Sequence, residues 1–334
     1  MKISIISLDF SRLPTPKDRG AYEARLARLT GSYGESVKRA SRTLHALQGQ
    51  GPLVKHGFRL RPDFIYRREA PAGDFSDRKV PPRDLRPPST EISSSRGSTL
   101  RLYLTALAVA QKTNRVGGHP QWLPVVGSTD RPGWTDLIAT DAVRAGNGLT
   151  TLEAKDKRAR SVRASLKRLE TAGLIRFARS EGKRGDFENY DLLDERGSSG
   201  EQQLYKVPGL KEPVATLPPG FILNSWVHVL EDSELALLLM VACGIGSLSG
   251  PSVSIPAETR LLHYGIGRDP YSRARKTLEL FGLLNVEEVK RHRDGKTEGG
   301  ENHFLHRFAL RTRGFDEDAL PTVTAVLKEQ LART

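Results

Sequence analysis

Cysteine is almost absent. Cys243 stands alone in 334 residues, so no intrachain disulfide can form and stability must come from a packed core. A reducing, cytoplasmic setting is the natural expectation. Cys243 closes the apolar run Leu235–Cys243 and reads there as a small buried residue. That run falls well short of the roughly 20 residues a membrane-spanning helix needs. The start of the chain, Met1 to Phe10, meets Asp9 after a few apolar positions. It lacks a long apolar stretch and a small-residue cleavage site, so neither a signal peptide nor a membrane partner is expected.

Catalytic and cofactor patterns are missing too. Gly295-Lys296-Thr297 resembles the end of a phosphate-binding loop, but Lys290 stands where that loop requires glycine, which excludes ATP binding there. His303 and His306 have a metal-like spacing without a second Cys or His pair. The alternation His303-Phe304-Leu305-His306-Arg307-Phe308 fits a strand, which makes both histidines structural. No His-apolar-His pair of the rolling-circle nicking type occurs, and no Ser/His/Asp set or carboxylate pair stands out. The expectation is a protein that is not an enzyme and uses no metal or cofactor.

What the chain does have is positive charge. Lys and Arg number 52 against 39 Asp and Glu, a net +13. That excess favours a polyanionic partner, without separating DNA from RNA or an anionic surface. Apolar residues at 37% suffice for compact cores, and the length allows two or three domains.

The chain also repeats itself. Lys167-Arg168-Leu169-Glu170-Thr171-Ala172-Gly173-Leu174-Ile175 returns 109 residues later as Lys276-Thr277-Leu278-Glu279-Leu280-Phe281-Gly282-Leu283-Leu284. Each copy ends a basic helix, turns at a glycine and enters an apolar strand. Each is followed by a charged glycine-containing loop, Ser180–Gly185 and Arg291–Lys296. A repeated supersecondary unit sets the architecture before any single residue is interpreted. Upstream, the apolar helix Leu100–Gln111 aligns with Leu235–Gly244 at an offset of 135. The first copy therefore carries 26 extra residues, most of them expected in the Gly/Pro-rich stretch Asn114–Gly133. Trp134–Ala139 and Pro256–Tyr264 are the expected middle helices, with Pro256 in the first turn.

Residues 1–68 form a basic N-terminal region whose fold is not legible, although Ile3, Ile5 and Leu8 suggest a strand and Val37, Ala40, Leu44 and Leu47 one face of a helix. Residues 69–98, with five prolines and a serine run, read as a linker. A first domain follows over 99–206, a second linker over 207–219 and a second domain over 220–313. Residues 314–334 supply a C-terminal helix with Val323, Val326, Leu327 and Leu331 on its apolar side, placed against the second unit. Asp194–Glu201 reads as a turn.

In the first basic helix Val162, Leu166 and Leu169 share one face. Lys157, Arg160, Ala164, Lys167 and Thr171 lie opposite, flanked by Arg163 and Arg168, and Arg158 is a further candidate DNA contact. Small Ala164 among cations permits close approach to a groove. In the second, Tyr271, Ala274, Leu278 and Phe281 face inward and Ser272, Arg273 and Lys276 outward, with Arg268 in the preceding turn. Arg275 stands where the first copy has Leu166, so either its stem lies along the core edge or the helix phase differs. A DNA major groove accepts such a helix, with arginine reading guanine and marginal cations meeting phosphates. Lys183 and Arg184 in one loop, and Arg291, Arg293 and Lys296 in the other, are the further candidate DNA contacts.

Helix, glycine turn, strand, basic loop and return strand is the order of the back half of a winged helix. The chain thus resembles the winged-helix superfamily. Two unequal winged helices in one polypeptide resemble, more narrowly, the theta-type plasmid replication initiators. The resemblance covers roughly Ser98–Arg313 and rests on Ala159–Arg179 and Pro270–Val289. It implies an α+β fold with two winged-helix domains in tandem. It also implies binding of origin repeats in double-stranded DNA, opening of adjacent duplex and recruitment of host replication proteins. The residues by themselves support sequence-specific duplex binding. A winged-helix transcription regulator is the first alternative, and a tandem winged-helix subunit of a chromosome-organising complex the second. Single-unit regulators commonly pair into a homodimer; two readers in one chain let a monomer bind an asymmetric site, and both states stay open.

Overall fold

The computed structural model describes residues 5–7, 13–94, 98–120, 123–141, 145–146, 151–152, 154–178, 187, 189–199, 202–248, 252–289 and 306–333. Strand β1 (Ile5–Ser7) opens the chain and pairs antiparallel with residues 287–289, far along the sequence. Helix α1 (Pro16–Thr30) starts where the Thr15 hydroxyl accepts from the Asp18 N–H, with proline in the first turn. Helix α2 (Ser32–Ala46) buries Val37, Ala40 and Leu44 on one face; Leu47 lies just past its end. Then come α3 (Leu53–His56), β2 (Phe58–Leu60) and α4 (Pro62–Ile65), whose Phe58, Leu60, Phe64 and Ile65 are all buried.

The Pro/Ser-rich stretch is closely packed over its described residues 69–94. Pro71, Pro81, Pro87 and Pro88 are buried, and α5 (Pro88–Glu91) forms within it. Its backbone and short side chains hold it. Thr90 Oγ1 donates to the Tyr264 carbonyl at 3.0 Å and Ser94 N–H to Asp232 at 2.8 Å. Asp77 accepts from Arg260 at 2.8 Å.

Helix α6 (Thr99–Thr113) is apolar all round and buried from Thr99 to Gln111, as a central helix should be. Gln111 ties it to β2: its amide exchanges hydrogen bonds with the Arg59 N–H and carbonyl at 3.0 and 2.6 Å. Helix α7 (Trp134–Leu137), the hairpin β3 (Ala145–Gly146) and β4 (Thr151–Leu152), and α8 (Ala154–Thr171) follow. Strands β5 (Ile175–Phe177) and β6 (Tyr190–Leu192) pair antiparallel, Ile175 opposite Leu192. The turn after β6 holds the fully buried Glu195, which accepts from Arg61. Strand β7 (Ala215–Leu217), inside the stretch read as the second linker, pairs with β2.

Helices α9 (Gly220–Leu223) and α10 (Trp226–Val229) lead into α11 (Asp232–Cys243), at whose start the Glu231 N–H donates to the Glu234 carboxylate at 2.8 Å. Helices α12 (Ala257–Leu262) and α13 (Arg268–Leu280) come next. Strands β8 (Leu284–Val289) and β9 (His306–Leu310) complete a three-stranded sheet in the order β1-β8-β9. Val253 adds a bridge to Phe308 on β9. Helix α14 (Ala319–Ala332) packs mainly on α1 and also on α10, so the N-terminal region shares its apolar side with the second unit.

The repeat is reproduced down to its hydrogen bonds. Leu174 N–H reaches the Leu169 carbonyl at 2.9 Å, and Leu283 N–H the Leu278 carbonyl at 2.9 Å. Gly173 and Gly282, at φ +68° and +73°, take the left-handed conformation that closes each helix. The extra length of the first unit falls in two places rather than chiefly in Asn114–Gly133. Residues 138–153 separate α7 from α8, where only 263–267 separate α12 from α13. Pro256 sits one step before its helix, at the N-cap. Cys243 is half-buried rather than buried, because it lies at the open end of α11. The architecture is thus mixed helix and small antiparallel sheets, around contiguous buried apolar residues running from Leu29 to Leu327. Among the described residues no helix is long and apolar enough to cross a membrane.

Candidate nucleic-acid interface

The rotation of α8 is set by its inner stripe. Ala159, Val162, Leu166 and Leu169 are buried. On the same side Ser161 and Ser165 meet the Ser98 hydroxyl at 3.2 and 3.0 Å, where α6 begins. The opposite side is therefore left to Lys155, Arg160, Ala164, Lys167 and Thr171, all exposed. Lys157 and Arg163 flank it, half-buried. Lys167 Nζ stands 5.6 Å from the centre of the Phe187 ring, which braces its stem while leaving the ammonium in solvent.

Two of the candidate DNA contacts on α8, Arg158 and Arg168, are only partly accessible. Arg158 is half-buried and its enclosed Nε has no hydrogen-bond partner among the described residues. It lies near Arg39 of α2, whose own guanidinium is lowered from its ordinary pKa by burial and then by Arg158. Arg168 is also half-buried. Burial, and after it the neighbouring Arg83, lower its pKa.

Helix α13 repeats the division. Ala274 and Leu278 are buried and Phe281 closes the inner side. Arg268, Arg273 and Lys276 are exposed, with Ser272 half-buried beside them. Arg275 turns inward and pairs with Glu288 on β8. The helix phase is as the sequence implies, and the long arginine stem occupies the core edge where the first unit has Leu166. His306 serves as packing: its Nδ1 lies 3.0 Å from the Tyr271 hydroxyl.

Each unit so presents arginines and lysine on one exposed helical face, clamped by an apolar stripe behind. Such guanidinium groups can donate paired hydrogen bonds to base edges or phosphate oxygens. Lys183, Arg184, Arg291, Arg293 and Lys296 lie outside the described residues. Arg83 and Arg86, which the sequence does not single out, stand among prolines in the stretch that composition marks as a linker; Arg83 lies near Arg168 of α8, and both arginines share a cleft with the start of α13. The only available signal was their charge. The chain matches no family model, no curated protein and no solved structure.

Proposed function

We propose that residues 99–206 and 220–313 are two winged helices in tandem, and that the chain binds double-stranded DNA sequence-specifically through α8 and α13. One observation carries this reading: the helix, glycine turn and paired strands recur with the same hydrogen bonds, and both copies keep exposed cations on the face away from the core. A repeated fold alone would not require both outer faces to be basic. The order α11, Val253 bridge, α12, α13, β8, β9 is that of a winged helix, with the return strand pairing to both neighbours. The role we assign is that of a plasmid-type replication initiator, since two readers in one polypeptide suit asymmetric or repeated origin sites.

The test is selection from random duplexes with the wild type and with Arg160→Ala, Arg163→Ala and Arg273→Ala. Each variant should lose about 1–3 kcal/mol on the selected site and relax one part of the motif. Recovery of the wild-type motif with undiminished stringency by all three would overturn the reading. Persistence of a minimal plasmid carrying this gene as its only replication gene separates an initiator from a transcription regulator.

A further inference from the structure

Between the start of α13 and the Pro/Ser-rich stretch lies an open cleft of about 510 Å³. Arg83 and Arg86 line it from one side, Arg268 and Arg273 from the other. The two walls are locked together. Gly265, at φ +67°, lies so close that a Cβ there would meet the Arg86 stem at 2.9 Å and Thr90 Oγ1 at 2.6 Å. Arg83 is held by its bond to the Ser93 carbonyl at 2.9 Å, and Arg86 by its bond to the Pro81 carbonyl at 2.7 Å. Both guanidinium groups are thus positioned by backbone oxygens, and among the described residues no carboxylate forms an ion pair with either.

The charge in the cleft is unbalanced. Of its four acids, Asp77 is taken by Arg260 and Asp232 faces Arg101. Glu231, whose N–H donates to Glu234, and Asp269, in the first turn of α13, remain. Four arginines therefore face two carboxylates outside those ion pairs, an excess of positive charge. Burial and then Arg83 lower the pKa of Arg86, and the same pair of causes acts on Arg168 at the far end of α8. Arg83 so stands within electrostatic reach of the end of α8 and lines the cleft together with the start of α13. Among the described residues no aromatic ring lines the cleft. Nothing is there to stack a base, which favours a bare phosphate over a nucleotide.

We infer that this cleft binds a phosphodiester of the DNA backbone, with Arg83 and Arg86 holding the strand between the two base-reading blocks. The inference rests on the proposed duplex binding and adds a third contact element to it, supplied by residues 77–94. Phosphate contacts fix orientation without reading sequence, so this element anchors the chain on the duplex and adds affinity without changing the motif read by the two helices.

The test compares the full-length wild type with Arg83→Ala, Arg86→Gln and the double variant; glutamine keeps the Arg86 stem against Gly265. Affinities for the selected and a random duplex are measured across a KCl series, and contacted phosphates are mapped by ethylation interference. The double variant should weaken both duplexes by the same factor. It should lower the salt slope by roughly one for each phosphate lost, and erase interference between the two base blocks while leaving the selected motif unchanged. Inorganic phosphate at constant ionic strength should not displace duplex. Displacement that disappears in the double variant would assign the cleft to free phosphate and overturn the inference. Unchanged affinity, slope and interference, beside a wild type that binds duplex, would overturn it and leave the two-helix reading standing. A wild type that binds no duplex overturns both.

Discussion

Arg25 on α1 and Glu234 on α11 form an ion pair closed off from solvent, with side chains 8% and 2% exposed. The guanidinium grips both carboxylate oxygens, at 2.6 and 2.8 Å, and also donates to the Val229 carbonyl at 3.1 Å. Its face lies 4.7 Å from the centre of the Phe281 ring, where α13 ends. The pair therefore joins the N-terminal region to the helices of the second unit. Burial alone would raise the pKa of Glu234, but Arg25 outweighs it and holds the carboxylate below its ordinary value. Arg25→Ala removes that counterweight and leaves a buried charge with the Glu231 N–H at 2.8 Å and the Thr277 hydroxyl. Breaking one partner of a buried pair costs about 3–5 kcal/mol, whereas replacing both is often close to neutral. Urea unfolding should therefore show a loss of about 3–5 kcal/mol for Arg25→Ala, and recovery of most of it in Arg25→Met/Glu234→Gln. A loss below about 1 kcal/mol, the range of exposed pairs, would refute the docking of α1 against α11.

Two further expectations use the same physics. His228 is buried, with no hydrogen-bond partner for Nδ1 among the described residues, and burial, then Arg101, lower its pKa from 6.5 to about 3. A depressed pKa gives stability present above pH 6.5 and lost on acidification toward pH 3, so from pH 6.5 to 5 the wild type should lose about 2 kcal/mol relative to His228→Asn. A difference that stays constant over that range would contradict the burial. Gly173 and Gly282 share a left-handed φ, but a Cβ on Gly173 would lie 2.8 Å from the Ser198 nitrogen while one on Gly282 meets nothing within 4 Å. Gly282→Ala should cost about 1–2 kcal/mol from conformation alone, and Gly173→Ala measurably more. Equal losses in thermal or urea unfolding would mean that the 172–198 contact is not formed.

The sequence made the two basic helices legible because both have an inner apolar stripe of clear period and a glycine that must end them. Val162, Leu166 and Leu169, like Ala274 and Leu278, sit where that period puts them. Strand pairing was much less legible. Three residues of β2 meet three of β7, and β1 meets the end of β8, across spans that leave no alternating pattern to read. The stretch 69–94 looked like a linker because prolines and serines dominate it, yet it is held through backbone carbonyls and arginine stems, which composition does not reveal. The same holds for the candidate interface. The exposed faces of α8 and α13 follow from helix phase, but the inward turn of Arg158 and the approach of Arg83 depend on distant elements.

In the proposed function one chain lays two reading helices on one duplex. Hydroxyl-radical footprinting of the full-length chain on a duplex selected from a random pool tests it most directly. The expected result is two protected blocks about one helical turn apart, roughly 34–36 Å, with Arg160→Ala weakening one block and Arg273→Ala the other. A single short block, or two variants that weaken the same block, would contradict the claim.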